Sequence, residues 1–153
     1  MKELHEINLK KKMYLLTKAV EAAQNGIVIT DKEGRIIYTN PFVSQLTGYS
    51  SEELIGQNPK LFKSGNHKQD FYEKMWKIII SGKKWTGEIV NKKKNGELWT
   101  ELLTITPVTD ENDSVEFFIG IQQDVTYKQH LQKNLKETAG ELKEFFAKKK
   151  SKS

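Results

Sequence analysis

Apolar positions along this chain change their spacing several times, and each change marks an element. From Glu3 to Gln24 the residues are mostly Lys, Leu, Glu and Ala, with no Gly or Pro, which predicts a helix. Two β-branched or aromatic runs follow, Ile27–Thr30 and Ile36–Thr39, on either side of the turn sequence DKEG; this is the pattern of a hairpin. Asn40–Pro41 then reads as an N-cap followed by proline at the first helical position, and Gly48 stops that helix. Ser50 and Glu53 have capping-box spacing, and Gly56 ends the short helix they open. A longer helix runs from a cap at Asn66 to Gly82, with Phe71, Met75, Ile78 and Ile79 on one face and Trp76 flanking it. Three strand-like runs come next, Trp85–Asn91, Glu97–Val108 and Val115–Asp124, joined by KKNG and DENDS. Past Thr126 the pattern is helical again. Leu131, Leu135, Thr138, Leu142 and Phe145 are spaced 4, 3, 4, 3, a coiled-coil-like stripe about two heptads long. Strands joined by hairpins, with a block of helices inserted after the second, predict an α+β fold built on an antiparallel sheet.

Side chains alternate across a strand. In the last strand Phe118/Gly120/Gln122 share one face and Phe117/Ile119/Ile121/Gln123 the other, and parity alone leaves the choice open. In the two strands before it the more apolar faces are Trp85/Gly87/Ile89/Asn91 and Trp99/Glu101/Leu103/Ile105, and these are taken with Phe118/Gly120/Gln122 as one set. Turned inward, they aim Asn91, Glu101 and Gln122 into the interior from three strands, with Gly87 and Gly120 removing volume beside them. Each such group costs about 1–3 kcal/mol if it finds no partner. They can bond to one another, to backbone or to trapped water. A planar heterocycle with N–H and C=O edges would satisfy all three. The same alternation takes Trp85 and Trp99 away from the exposed lysines 83, 84 and 92–94. That leaves those lysines as solvated turns, with none of the exposed aromatics that single-stranded nucleic acid requires.

Composition narrows the picture. The 153 residues suit one domain, with a core of roughly 110 residues between lysine-rich ends. Net charge is +5, much of it from Lys10–Lys12 and the terminal KKKSKS. There is no cysteine, which excludes disulfides, thiol catalysis and cysteine-bound metals and leaves a cytoplasmic setting as the default. No apolar run approaches a membrane span. Phosphate-binding glycine loops, a nominable catalytic triad and a calcium loop are all missing, so a non-enzymatic binding module is expected.

The stretches NGIVITDKEGRIIYTNPFVSQLTGYSSEELIG, GQNPKLFKSG, WTGEIVNKKKNGELW and FFIGIQQDVT, in this order, resemble a PAS domain, the sensory module of many bacterial signalling proteins. The resemblance covers about Ala19 to Thr126. It implies a five-stranded antiparallel sheet with helices across one face and a ligand pocket between them. It divides the chain into an amphipathic N-terminal helix (1–18), the sensory domain (19–126), and a signalling helix with a basic tail (127–153). In DVT, Asp124 and Thr126 would couple sheet to helix. The middle resembles flavin-binding members, both the light-sensing LOV type and FAD-binding NifL-type redox sensors. Asn91 and Gln122 match positions that bond the flavin ring in LOV domains, Glu101 stands where those have a second asparagine, and Asn58 matches their GxNC asparagine. Pro59 replaces the cysteine of that motif, so the usual flavin–cysteine adduct is ruled out. Trp85 resembles a tryptophan near the flavin of NifL-type sensors, or is a core aromatic.

These matches make FAD, or FMN, the expected cofactor. A domain that binds another small metabolite or no cofactor is the alternative. Haem is less favoured, because His67 falls near the cap of the central helix, in an exposed position. The resemblance also implies a homodimer through the flanking helices and a downstream effector as partner.

Overall fold

The computed structural model describes residues 8–152. Helix α1 spans Leu9–Ala22, capped by the Asn8 side chain on Lys11 N; residues 3–7 of the expected helix lie outside the described residues. The sheet contains β1 (Gly26–Asp31), β2 (Ile36–Thr39), β3 (Trp85–Lys92), β4 (Leu98–Thr109) and β5 (Val115–Asp124). All paired neighbours are antiparallel, in the order β2-β1-β5-β4-β3. Between β2 and β3 lie α2 (Pro41–Thr47), α3 (Ser51–Leu54), a 3₁₀ turn (Pro59–Phe62) and α4 (Gln69–Ile80), and α5 (Thr126–Ser151) follows β5. The α+β architecture expected from the hydrophobic pattern is the one observed.

Local chemistry accounts for most boundaries. The Asp31 carboxylate accepts from Glu33 N and Arg35 N and so closes the β1–β2 turn. Gly34 in that turn has φ +86, and a side chain there would meet Asn58 and Trp76. The Ser50–Glu53 capping box forms as its spacing predicts. Asn40 does occupy the N-cap of α2 but caps nothing with its side chain. Fully buried, it instead accepts from Ile27 N and donates to Val20 O and Asn25 O, tying the end of α1 to β1.

Helix α4 departs from expectation twice. Its N-cap is Lys68 rather than Asn66, because residues 63–67 run along the edge of β3 before the helix begins. Its inward face is Phe71, Tyr72, Met75, Trp76 and Ile79, and Ile78 is turned toward solvent. One apolar cluster joins Val28, Ile36, Val43, Leu54 and Phe62; a second joins Met75, Ile79, Ile89, Ile105 and Phe118. Side chains of both clusters line the same cavity between sheet and helices. Helices α1 and α5 bury none of their residues.

Candidate functional site

The cavity measures about 300 Å³. Its sheet wall is apolar at one end, through Ile105 and Phe118, and polar at the other, through Asn91, Glu101 and Gln122, with Ile89 opposite Glu101. Strand parity sets that wall, since Ile89 pairs with Glu101 across β3–β4, and Leu103 pairs with Gln122 across β4–β5. Asn58 and Pro59 come from the 3₁₀ turn opposite, and Tyr72, Met75 and Trp76 from α4. The exposed Lys60 and Lys63 also line the cavity and mark its mouth.

Glu101 is the unusual group. It is 2% exposed, and its Oε1 accepts from Asn91 Nδ2 at 2.7 Å while its Oε2 has no partner. Burial pushes its carboxyl up to about 8, against the smaller opposing effect of the Asn91 and Gln122 amides. At neutral pH this carboxyl is therefore largely protonated and offers an O–H as well as an acceptor. Gln122, equally buried, has an unpartnered Oε1. Gly26, its partner across β1–β5, makes room for it, since a Cβ at 26 would lie 2.6 Å from Gln122 Oε1. The Tyr72 hydroxyl is likewise buried without a partner, and burial first, then the proximity of Glu101, raises the phenol above its usual value.

The structure brings Asn58, Asn91, Glu101 and Gln122 to one cavity and leaves Trp85 outside its lining. The half-buried Trp85 indole folds over Gly87 on its own strand, where a Cβ would come within 2.6 Å of the ring, and meets Phe71 edge-on. The space at Gly87 is thus filled by its neighbour, whereas Gly120 does face the cavity. Asn58 also caps the 3₁₀ turn, its Oδ1 accepting from Lys60 N, so its amide N–H₂ is the part left for the cavity. Tyr72 is a cavity residue that sequence reasoning missed, although it lies three residues before Met75 at helical spacing. Gly26 carries no signal until the β1–β5 register is known. His67 is half-buried rather than exposed, and bonds to β3.

At the polar end of the site, Glu101 is preceded by Thr100, whose N–H donates to Thr126 Oγ1 at 2.9 Å and whose C=O accepts from Val125 N. Thr126 Oγ1 also donates to Asp124 Oδ1 at 2.6 Å. These bonds fasten the start of α5 to β4 and the end of β5. Among the described residues there is no cluster of His, Asp and Glu that could hold a metal ion, and no helix long and apolar enough to cross a membrane.

Comparison with known proteins agrees with this geometry. The chain is 32% identical over 117 residues to the nitrogen fixation regulatory protein of Klebsiella oxytoca, covering 76% of this chain and 24% of that one. It is 32% identical over 136 residues to a blue-light photoreceptor of Listeria innocua, covering 86% and 53%. The chain thus spans between about a quarter and about half of the length of these relatives. Among solved structures, an RNA-binding light-oxygen-voltage receptor superposes with a TM-score of 0.79 at 25% identity, covering 88% of this chain and 39% of that one. A PAS domain from Colwellia psychrerythraea superposes with a TM-score of 0.66 at 30% identity, covering 76% and 98%. Residues 24–127 match the sequence profile of the PAS domain, and the chain belongs to the PAS domain family.

Proposed function

We propose that this chain is a cytoplasmic sensory module that holds a flavin, FAD in first place, in the cavity of Glu101, and relays its redox state through α5. The observation that carries the reading is the pair of buried, unpartnered oxygens, Glu101 Oε2 and Gln122 Oε1, at the polar end of an otherwise apolar cavity. A ring edge with alternating N–H and C=O groups would complete them. The relatives named for nitrogen-fixation regulation and blue-light reception support a sensory role. A cavity of about 300 Å³ is at the lower end for small-molecule sites, so a ring system would fill it and the rest of a larger ligand would leave past Lys60 and Lys63.

A bound flavin would supply a reversible redox couple whose reduction changes the protonation of its ring. The protein's part is to respond to that change. Glu101 donates when protonated and accepts when ionised, and its free Oε2 has no internal bond to fall back on. Gln122 can present either end of its amide after a rotation. Because the Thr100 peptide next to Glu101 holds Val125 and Thr126, a shift of the Glu101 backbone reaches the start of α5 across one residue. Without a cysteine the chain cannot use a cysteinyl adduct. No enzymatic step is assigned to the domain, and its output belongs to an effector domain or protein.

The test is absorption of the purified protein, as isolated and after incubation with FAD or FMN. Flavin bands that survive gel filtration support the proposal, with retention of one nucleotide over the other settling which is bound. A colourless protein that takes up neither overturns it in favour of a cofactor-free interaction module. That second reading has its own support in the bare helices α1 and α5. Leu9, Met13 and Leu16 on α1, and Leu131, Leu135 and Phe145 on α5, are exposed and suit a homodimer formed through these helices.

A further inference from the structure

Strand β3 is an edge strand, so its outward backbone groups have no neighbouring strand. At Val90 both are taken by side chains of the segment before α4. Ser64 Oγ donates to Val90 O at 2.6 Å, and Val90 N donates to His67 Nε2 at 2.9 Å. One residue on, Asn91 forms a β-bridge with Lys63. Two side chains thus stand in for a sixth strand at a single residue. The segment they fasten carries Asn58, Pro59, Phe62 and Lys63 into the cavity wall. The strand it is fastened to carries Asn91, the amide that holds Glu101.

The His67 half of this clasp depends on protonation. Only an imidazole nitrogen without a proton accepts the Val90 N–H, so the ring must be neutral, with its proton on Nδ1. A proton added at Nε2 sets one N–H against another and removes the bond, while Ser64 is untouched. The ring is held in place by Phe71, stacked at 4.5 Å, and by Tyr72, edge-on at 6.0 Å. The titratable and charged groups around it are the Tyr72 phenol and, over the Tyr72 ring at 4.0 Å, Lys63 Nζ. Lys68 and Asp70 follow it in the chain, both exposed. On β3, Lys92 is exposed and Glu88 accepts from Gln129 at 2.7 Å.

We infer that His67 is a positioning residue for the cavity wall, and that its protonation releases residues 63–67 from the edge of β3 and weakens ligand binding in the cavity. The ligand half of this statement rests on the flavin reading; the clasp itself does not.

The experiment uses the full chain, ¹⁵N-labelled, as wild type and as His67→Gln, whose amide oxygen accepts an N–H without titrating. The protection factor of the Val90 amide and the dissociation constant for FAD, or for FMN, are measured between about pH 7.5 and about pH 5.5. In the wild type both are expected to worsen about tenfold on acidification, the loss of roughly one hydrogen bond, and in His67→Gln both stay flat. Equal acid sensitivity of Val90 in the two proteins, or none in the wild type, overturns the clasp. If Val90 responds and FAD affinity does not, the role in the cavity wall is overturned. If neither FAD nor FMN binds either protein, the flavin reading fails and the Val90 data still decide the clasp. Should His67→Gln fail to fold, the wild type alone suffices: the His67 ring nitrogens and the Val90 amide must shift with one common midpoint, and two separate midpoints refute the mechanism.

Discussion

Replacing Glu101 by glutamine removes one ionisable group from the interior while keeping its shape, and the consequence for stability can be worked out. The folded carboxyl titrates near 8 against an ordinary value of 4.5. Between these values the unfolded chain has released its proton and the folded chain has not, so the folded state binds more protons and stability falls as pH rises. The slope from one such group reaches at most about 1.4 kcal/mol per pH unit. Integrated, Glu101 removes about 3 kcal/mol by pH 7, and about 2 kcal/mol of that loss falls between pH 5.5 and pH 7. Against a total stability of about 5–15 kcal/mol for a domain, this is readily measured. Urea unfolding of ligand-free protein, followed by tryptophan fluorescence, should show wild type losing about 2 kcal/mol more than Glu101→Gln across that interval. The lowered carboxyls of Asp31 and Glu53 have the opposite sign. Their stabilisation is lost only as pH falls through their depressed values, and it is common to both proteins. Parallel curves for wild type and Glu101→Gln would refute the claim that this carboxyl is buried and protonated in the folded chain.

Three further substitutions probe the surroundings of the site. Asn40→Ala leaves Ile27 N–H, Val20 O and Asn25 O without their side-chain partner, and urea unfolding should show a loss of about 2–4 kcal/mol. Gly26→Ala places a Cβ 2.6 Å from Gln122 Oε1 and 3.2 Å from Val43; the Gln122 amide must move, and titration should show weaker flavin binding with a stability cost of about 1–2 kcal/mol. Thr126→Val keeps the shape but strips Thr100 N–H of its acceptor; hydrogen exchange should show faster opening of the first turns of α5, by about tenfold, with the cavity residues unchanged.

The strands were legible because β-branched runs between Gly- and Asp-rich turns have few alternatives. Their parity then placed Asn91 and Glu101 on inward faces, where the structure has them, but left two faces open for the last strand, of which the structure turns that of Gln122 inward. What escaped were features set by partners distant in the chain. Asn40 has an N-cap's position, but its amide reaches back 13 to 20 residues to hold β1 and α1. Asn66 has a cap's identity, yet the helix starts later because Ser64 and His67 are drawn to Val90, 26 and 23 residues away. Trp85 obeys the alternation and still misses the cavity, since the glycine two residues on lets its indole lie flat along its own strand. Local spacing specifies which face a side chain takes. It does not specify what waits on that face.

That distinction also locates the site. Buried polar side chains are tolerated where the fold supplies their bonds. Asn40 meets this condition with three partners, and Thr47 with the carbonyl of Val43. Even Asn91 is bonded, though its partner is the half-satisfied Glu101. Of the buried side-chain atoms left without a bond among the described residues, Trp99 Nε1 belongs to a residue outside the cavity lining, while Tyr72 Oη, Glu101 Oε2 and Gln122 Oε1 belong to residues that line it. Random imperfections of packing would scatter such atoms through the interior. Their convergence on one hollow, beside the peptide that holds the first turn of α5, is the observation on which the proposal of a bound ligand rests.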